Sequence, residues 1–266
     1  MTGRLRIFSM VVVQEGRKRK RAARRRRVSV IGVLGELFMT AGVVVLLFLG
    51  WQLWVNDLFV SSSQQAEAQE LSQTWSKGEG VAVAPADRPD PGEPAVAAAP
   101  GNAVAFATLI IPRFGADYAR PVAEGVGLVD VLNTHSVGHY PGTQMPGAIG
   151  NSAFAAHRTG WGSPFFDIDK LQVGDSLYLE SEAGWYRYVF RSLEYVTAAG
   201  VGVLDPVPQF AGAAATDRIL TLTSCNPIYT ADERIIAYSV YDTWYPRADG
   251  APVEIAGIVA QAGAVG

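Results

Sequence analysis

A long apolar run without charge divides this chain into two chemically different parts. Residues 37–55 are 19 consecutive residues without a charged side chain. At about 1.5 Å per residue, a helix of this length approaches the ~30 Å hydrocarbon thickness of a bilayer. Trp51 and Trp54 lie at its far end, and indole rings favour the membrane interface. The run therefore predicts one transmembrane anchor over residues 28–55, followed by a separate folded domain.

The charges on the two sides of this run are unequal. Residues 1–27 carry eleven Lys/Arg and one acid, Glu15, a net charge of +10. The other 239 residues carry 11 basic and 24 acidic side chains, a net charge of −13. Because basic segments beside a span stay in the cytoplasm, we expect a basic cytoplasmic tail and an extracellular domain. The basic block suits anionic lipid headgroups, so no nucleic-acid partner is predicted.

A cleaved signal peptide is the alternative interpretation of the apolar run. Ala66-Glu67-Ala68 matches a small-residue cleavage pattern. The apolar run, however, is longer than the about 7–15 residues that are usual in signal peptides, and the pattern lies well past its end. We therefore favour an uncleaved anchor, with the protein in the cell membrane as a single-pass protein.

The segments that flank the domain have the composition of connectors. Residues 61–103 are rich in Ser, Gln, Ala, Glu, Gly and Pro, and residues 84–94 contain four prolines. We expect residues 56–103 to be an extracellular stalk and a stiff, solvated linker. Within them, residues 61–76 either extend the membrane helix or form a short stalk helix. Residues 246–266 are mostly small and polar, which predicts a C-terminal tail.

Residues 104–245 are a series of short β-prone runs with little helical periodicity. Gly and Pro separate the runs, and residues 167–171 are expected to form a single helical turn. Residues 129–134 are a weaker apolar stretch. We predict strands at residues 108–112, 152–157, 175–180, 185–196, 219–223 and 235–244. With residues 129–134 counted as a weaker candidate, seven or eight short strands indicate an all-β closed barrel or a sandwich.

The only cysteine of the chain, Cys225, follows an apolar β-prone run and precedes a turn. One thiol cannot form an internal disulfide, and a lone thiol outside the cytoplasm calls for an explanation. One Cys with three His is a poor ligand set, so we predict no metal and no cofactor. Cys225 is therefore either an inert buried side chain or a nucleophile.

Two other residues have the chemistry that a thiol nucleophile needs. His157 ends the predicted strand 152–157 and could stabilise a thiolate, then protonate a leaving amine. Arg234 follows Cys225 by nine residues, and because it stays protonated it can only bind an oxyanion or substrate backbone. Each also has a simpler explanation, since an isolated His is often structural and an Arg beside acids often forms a surface ion pair.

The sequence around these three residues resembles the sortases, the membrane-anchored cysteine transpeptidases of Gram-positive bacteria. Residues 155–159 (AAHRT) are similar to the family's histidine motif, and residues 221–225 (TLTSC) are similar to its T-L-x-T-C motif. Arg234 stands where the family has its arginine on the last strand. The resemblance covers about residues 104–245, which we take as the catalytic domain.

The subclass is indicated by further motifs. The sequence GHYPGT at residues 138–143 and GEL at residues 35–37 resemble class E sortases of high-GC actinobacteria. Ala156 stands where a glycine is common before the histidine, and Ser224 stands where a threonine is common before the cysteine. Neither departure removes a catalytic group.

The resemblance implies an eight-stranded β-barrel and a two-substrate reaction. The first substrate would be a secreted protein with an LPxTG-like sorting signal, with LAxTG favoured in class E, cleaved between Thr and Gly through a thioester. The acceptor would be an amine of the cell-wall precursor. Cys225, His157 and Arg234 would be catalytic. Thr223, Ser224 and Tyr140 would bind substrate.

Two other functions fit parts of the sequence. Another cysteine acyl-transfer enzyme, such as a peptidase, would use Cys225 and His157 but would not explain Arg234. A tethered β-domain that binds the wall or a partner would leave Cys225 inert in its core. We assign neither His135 nor His139 to catalysis, although His139 is a candidate to line the substrate groove.

Overall fold

The computed structural model describes residues 29–51, 56–77 and 82–263. The predicted basic tail, residues 1–27, lies outside the described residues, as does Trp54. Helix α1 (Val30–Gly50) is 21 residues long and apolar. In the described part of the chain it is the one helix with the length and composition to cross a membrane. It is therefore a candidate membrane span, in agreement with the prediction from the apolar run.

Eight strands in the described residues form a closed barrel. They are β1 (Ala105–Ile110), β2 (Ala119–Glu124), β3 (Val137–His139), β4 (Gly150–Ala156), β5 (Ser176–Ser181), β6 (Gly184–Thr197), β7 (Arg218–Asn226) and β8 (Glu233–Pro246). Their order around the barrel is β1-β2-β3-β4-β7-β8-β6-β5. β2 pairs with β3, and β4 with β7, in parallel, whereas the other neighbours are antiparallel. The prediction of an all-β closed barrel is confirmed.

Alternating apolar side chains of the strands fill the barrel. Because successive side chains on a strand point to opposite faces, every second residue faces the interior. The interior cluster includes Leu109, Val122, Phe154, Leu177, Tyr188, Leu222 and Ala237, all buried. We call the opposite side of the sheet the outer face.

Strand β2 was not predicted because its six residues include two charged side chains and a proline. All six residues of β2 are buried, including Arg120 and Glu124. Arg120 donates to Ser61 Oγ at 2.6 Å, and Glu124 bonds to His139 Nδ1 at 2.7 Å. These contacts offset the cost of burying the two side chains, although Arg120 Nε has no hydrogen-bond partner among the described residues. Nothing in the local sequence indicates the partners. Likewise, residues 129–134 contain a helical turn (Leu128–Leu132) in place of a strand.

The predicted stalk is wrong for helix α2 (Asn56–Ser76), because this helix packs on the outer face of the barrel. Ala68 is buried in a cluster with Ala119 and Trp185. Ser72 donates to the buried carboxylate of Glu180 at 2.8 Å. Several polar side chains of α2 bond to polar groups of the barrel, so the packed face of the helix shows no apolar periodicity.

The predicted linker and tail also lie against the barrel. In the linker, the Arg88 guanidinium lies 3.9 Å from the centre of the Tyr245 ring, and Tyr186 donates to the Ala95 carbonyl at 2.6 Å. In the tail, helix α3 (Ala256–Gly263) buries Val259 in the cluster that contains Ala68 and Trp185. Residues 85–99 are mostly exposed but are held on the barrel at these points, whereas the expectation of a trailing tail is wrong for helix α3. The small side chains of α3 allow this helix to pack closely on the barrel.

Candidate active site

Strand pairing places Cys225 directly opposite Arg234. In the antiparallel β7–β8 ladder, Thr223 faces Ile236, Cys225 faces Arg234, and the hairpin closes beyond them. Side chains of directly opposed residues lie on the same face of a sheet, with Cβ atoms about 4.5–5.5 Å apart. Cys225 and Arg234, nine residues apart in the sequence, are therefore neighbours across the hairpin.

The parallel pairing of β4 with β7 brings His157 to the same end of the barrel. The register pairs Ala155 with Thr223, and Ser224 Oγ donates to the Ala156 carbonyl at 2.9 Å. His157 and Cys225 each lie two residues beyond the Ala155–Thr223 pair. They therefore leave adjacent strand ends side by side.

The three residues point away from the barrel interior. Phe154 and Ala156 of β4, Leu222 of β7, and Ile235 of β8 belong to the interior cluster. By alternation, His157, Cys225 and Arg234 lie on the outer face. His157, Cys225 and Arg234 are partly exposed, so a substrate laid along this face can reach them.

Asn133 orients the ring of His157. The Asn133 Oδ1 atom lies 2.8 Å from His157 Nε2. Because an amide oxygen only accepts hydrogen bonds, Nε2 carries the proton, and Nδ1 of the neutral ring is left free to take one. Burial lowers the pKa of His157 below its usual 6.5. At neutral pH the resting ring is therefore mostly neutral.

The side chain of Arg234 is anchored on its own hairpin. Its Nη1 donates to the carbonyls of Ala231 at 3.0 Å and Glu233 at 2.8 Å. Among the described residues, Cys225 Sγ makes no hydrogen bond to His157 or Arg234. Strand register, and not a direct hydrogen bond, holds the three groups together. Such bonds often tighten only when substrate binds.

A second set of residues ties the three strand ends together. Arg158 Nη1 donates to Asn226 Oδ1 at 2.5 Å, and Asn226 Nδ2 donates to Glu233 Oε2 at 3.0 Å. Arg158 also pairs with Asp169 at 3.0 Å. Arg158, Asn226 and Glu233 are the sequence neighbours of His157, Cys225 and Arg234. We call these three neighbours the strand-end clamp.

The predicted substrate-binding residues divide into two groups. Thr223 lies on the outer face beside Cys225, and its hydroxyl is 3.1 Å from the Tyr140 hydroxyl. Ser224 is 3% exposed, and its hydroxyl is used by the Ala156 carbonyl. Ser224 joins β4 to β7 and does not face the outer surface, so its assignment to substrate binding is corrected. Tyr140 is partly exposed and stays a candidate, as does Thr223 on the same face, although Thr223 is 4% exposed and is covered by Tyr140.

The other two histidines have structural partners. His139 is fully buried, with Nδ1 2.7 Å from Glu124 and Nε2 3.0 Å from the Gln144 carbonyl. It therefore cannot line a groove, contrary to the expectation from sequence. His135 Nδ1 lies 2.6 Å from Glu67 of α2. Neither contact involves Cys225.

Helix α2 also holds the loop that follows His157. Asp57 accepts from the Gly162 N–H at 2.7 Å and from the Ser163 hydroxyl at 2.6 Å. Gln64 Nε2 donates to the Trp161 carbonyl at 2.9 Å. Sequence reasoning missed these residues because their partners lie 97 to 106 positions away.

Four residues around the catalytic candidates were also missed: Asn133 and the three members of the strand-end clamp. Asn133 lies in a stretch of mixed polarity without a recognisable motif, 24 residues before His157, and only the fold brings the two side chains together. The strand-end clamp carries a usable signal, because each member is the next or preceding residue of a catalytic candidate. In the described residues, no group of three or more His, Cys, Asp or Glu side chains is placed to hold a metal ion.

A closed eight-stranded barrel with a cysteine, a histidine and an arginine at neighbouring strand ends defines a class of protein. The family described as Sortase domain matches residues 109–241, half of the chain. The chain belongs to the sortase family, which confirms the family prediction.

Individual relatives narrow the resemblance to one group of sortases. Sortase SrtE1 of Streptomyces coelicolor is 34% identical over 243 residues, which are 88% of this chain and 64% of that protein. This chain thus spans less than two thirds of that relative. Sortase SrtE2 of the same organism is 29% identical over 84% of this chain and 86% of that protein. The class E resemblance is therefore supported.

Solved structures agree with the fold. The SrtA sortase from Actinomyces oris matches with a TM-score of 0.59 and 33% identity, covering 62% of this chain and 94% of that one. Sortase E1 from Streptomyces coelicolor, solved with a tripeptide in its active site, has a TM-score of 0.53 and 36% identity, covering 60% and 99%.

Proposed function

We propose that this protein is a membrane-anchored cysteine transpeptidase of the sortase type. It would cleave an LAxTG- or LPxTG-like sorting signal between Thr and Gly and join the new carboxyl end to an amine. The observation that carries this proposal is the meeting of His157, Cys225 and Arg234 on one outer face, through the pairing of β4, β7 and β8.

In the first half-reaction, the Cys225 thiolate attacks the threonine carbonyl of the signal. The oxyanion that forms is stabilised by the positive charge of Arg234, which never loses its proton. The carbon–nitrogen bond then breaks, and the His157 imidazolium gives its proton to the leaving glycine amine. The products are a thioester on Cys225, a free glycine-side fragment and a neutral His157.

In the second half-reaction, an acceptor amine attacks the thioester carbonyl. Its proton passes to neutral His157, the carbon–sulfur bond breaks, and the Cys225 thiolate leaves. The imidazolium–thiolate pair is thereby restored. Because burial lowers the pKa of His157, only a minor fraction of resting enzyme would hold this pair at neutral pH.

Substrate and cellular context complete the proposal. The sorting signal would lie along the outer face beside Tyr140 and Thr223, whose hydroxyls contact each other next to Cys225. The α1 helix would anchor the protein in the cell membrane, with residues 1–27 in the cytoplasm and the barrel outside, as the basic block favours. The acceptor would be an amine of the cell-wall precursor.

Peptide cleavage tests the proposal. The full chain in detergent micelles is mixed with an LAxTG peptide and, separately, an LPxTG peptide, with hydroxylamine as a simple acceptor. We expect a glycine-side fragment and a threonine hydroxamate, with the LAxTG peptide used faster. An absence of cleavage for both peptides would refute the proposed reaction.

A further inference from the structure

The interior of the barrel contains a buried pair of ionisable side chains that the proposed reaction does not use. Glu124 and His139 are paired residues of the parallel β2–β3 ladder. His139 is fully buried, Glu124 is 7% exposed, and His139 Nδ1 lies 2.7 Å from Glu124 Oε2. The rings of Phe106 and Phe154 pack on the imidazole, with centroids 5.8 Å and 5.2 Å away. Because burial of two ionisable groups is costly, this pair calls for a role.

The other ring nitrogen of His139 holds the turn that follows β3. Nε2 lies 3.0 Å from the Gln144 carbonyl oxygen and 3.0 Å from Thr143 Oγ1. A carbonyl only accepts hydrogen bonds, and the single proton of the Thr143 hydroxyl is donated to the Tyr140 carbonyl at 2.8 Å. Nε2 therefore carries a proton and donates to both oxygens. Since Nδ1 faces the carboxyl group of Glu124, one further proton is shared between these two side chains.

The turn that His139 holds places Tyr140 on the outer face of the barrel. Tyr140 directly follows His139, and successive side chains of a strand point to opposite faces. The Thr143 N–H donates to the Tyr140 carbonyl at 3.1 Å and closes the turn. The Tyr140 hydroxyl lies 3.1 Å from Thr223 Oγ1, two residues before Cys225 on β7. A path of hydrogen bonds thus runs from the barrel interior to a side chain beside the proposed nucleophile.

Thr143 is the junction at which these contacts meet. Its hydroxyl accepts from His139 Nε2 and, at 3.3 Å, from the Ala153 N–H, and it donates to the Tyr140 carbonyl. Residues 141–142, at the tip of the turn, are exposed and provide no packing that could replace these bonds. Loss of the Thr143 hydroxyl would therefore weaken the hold of His139 on the turn and leave the backbone pairing of β3 with β4 intact.

We propose that His139, anchored by Glu124, is a positioning residue that fixes the turn of residues 140–144 so that the Tyr140 hydroxyl meets the sorting signal. The inference rests on the proposed function and names the buried group that sets how tightly the signal binds. His139 touches neither the outer face nor Cys225, so it acts through Tyr140. A displaced Tyr140 hydroxyl weakens binding of the signal and leaves the reactivity of Cys225 unchanged.

Substitutions of Thr143 test the proposal without removing the buried pair. Thr143→Val has nearly the same shape but no hydroxyl, whereas Thr143→Ser keeps the hydroxyl. Each full-length variant is assayed in micelles with an LAxTG peptide and saturating hydroxylamine, and alkylation of Cys225 by iodoacetamide is timed without peptide. Thr108→Val is the matched control, since Thr108 is a buried threonine whose hydroxyl has no hydrogen-bond partner among the described residues.

The expected result is a defect in binding of the signal alone. In Thr143→Val the KM for the LAxTG peptide should rise about five-fold, within the range of one lost hydrogen bond, while kcat and the alkylation rate stay within about two-fold. Thr143→Ser and Thr108→Val should keep the wild-type KM. An unchanged KM in Thr143→Val overturns the positioning role, even with a lower melting temperature, because a purely structural pair gives that result. A fall in kcat and alkylation rate equal to the rise in KM also overturns it.

A double-mutant cycle tests whether the effect passes through Tyr140. Tyr140→Phe should itself raise the KM, and adding Thr143→Val to it should raise the KM by less than about two-fold more. Additive effects, or a wild-type KM for Tyr140→Phe, overturn the inference. His139→Gln keeps an amide donor near Nε2 and should bind the peptide more tightly than His139→Asn, which loses it; the reverse order also overturns the inference. A wild-type protein that cleaves no sorting peptide overturns the proposed function as well.

Discussion

The two sides of the candidate active site are held in place by different parts of the chain. Cys225 and Arg234 are fixed by one hairpin, and parallel pairing of β4 with β7 adds His157. The loop after His157 is fixed by side chains of α2, through hydrogen bonds that span up to 106 residues. The backbone ladder thus positions the reactive groups, whereas α2, which follows the candidate membrane span in the sequence, shapes their surroundings.

The largest loss of activity is expected from a substitution among the residues that the paired strands hold in place. Arg234→Lys keeps the charge but loses the planar guanidinium, whose Nη1 anchors on two carbonyls. We expect kcat/KM for the sorting peptide to fall about 100-fold, the size typical of losing one oxyanion-stabilising group. Arg191→Lys, on an exposed part of β6, is the matched control and should be unchanged. An Arg234→Lys variant with wild-type kcat/KM would remove Arg234 from the mechanism.

A smaller effect is expected where the strand ends are tied together. Asn226→Ala breaks the strand-end clamp at its centre and frees both Arg158 and Glu233. We expect about a 10-fold loss of kcat with little change in KM, because the reactive groups are misplaced by fractions of an ångström. Thr230→Ala, in the same hairpin, is the control. If kcat of Asn226→Ala matches that of the control, the clamp has no part in positioning.

A smaller loss of activity is expected from substitutions in α2, which holds the loop after His157. Asp57→Ala removes the acceptor of two hydrogen bonds from the loop of residues 160–163. We expect a three- to five-fold fall in kcat/KM for the sorting peptide, on the order of one lost hydrogen bond. Glu70→Ala, an exposed site on the same helix, is the control. A loss as large as that of Arg234→Lys would abolish the distinction between the two sides.

The smallest expected effect is a shift in the titration of His157. In Cys225→Ala, which uncouples the ring from the thiol, NMR should give His157 a pKa below 6.5, because burial disfavours the charged ring. Folding then favours the neutral ring, so stability is lost as the pH falls through 6.5 towards the folded pKa. Asn133→Asp should raise the pKa of His157 by placing a negative charge at Nε2. A pKa above 6.5 in Cys225→Ala would contradict this account of the resting state.

The same contrast explains which features were predictable from sequence. The runs that became β6, β7 and β8 are rich in β-branched, aromatic or alternating apolar residues, and β4 is a short buried run. The catalytic candidates lie in short motifs at the ends of β4, β7 and β8. By contrast, β2 hides Arg120 and Glu124 among its buried residues, and the packed face of α2 is polar. Sequence patterns indicate burial through apolar side chains. A buried element whose polar groups bond to distant residues therefore cannot be predicted from its own sequence.

Trapping the acyl intermediate tests the central claim, that Cys225 is a nucleophile served by His157 and Arg234. The full chain is mixed with an LAxTG peptide, quenched in acid and measured by intact-protein mass spectrometry, with Cys225→Ala as control. We predict a mass increase equal to the peptide up to its threonine, located on Cys225, lost with hydroxylamine and absent from the control. No adduct on Cys225, or an equal adduct on Cys225→Ala, would contradict the account.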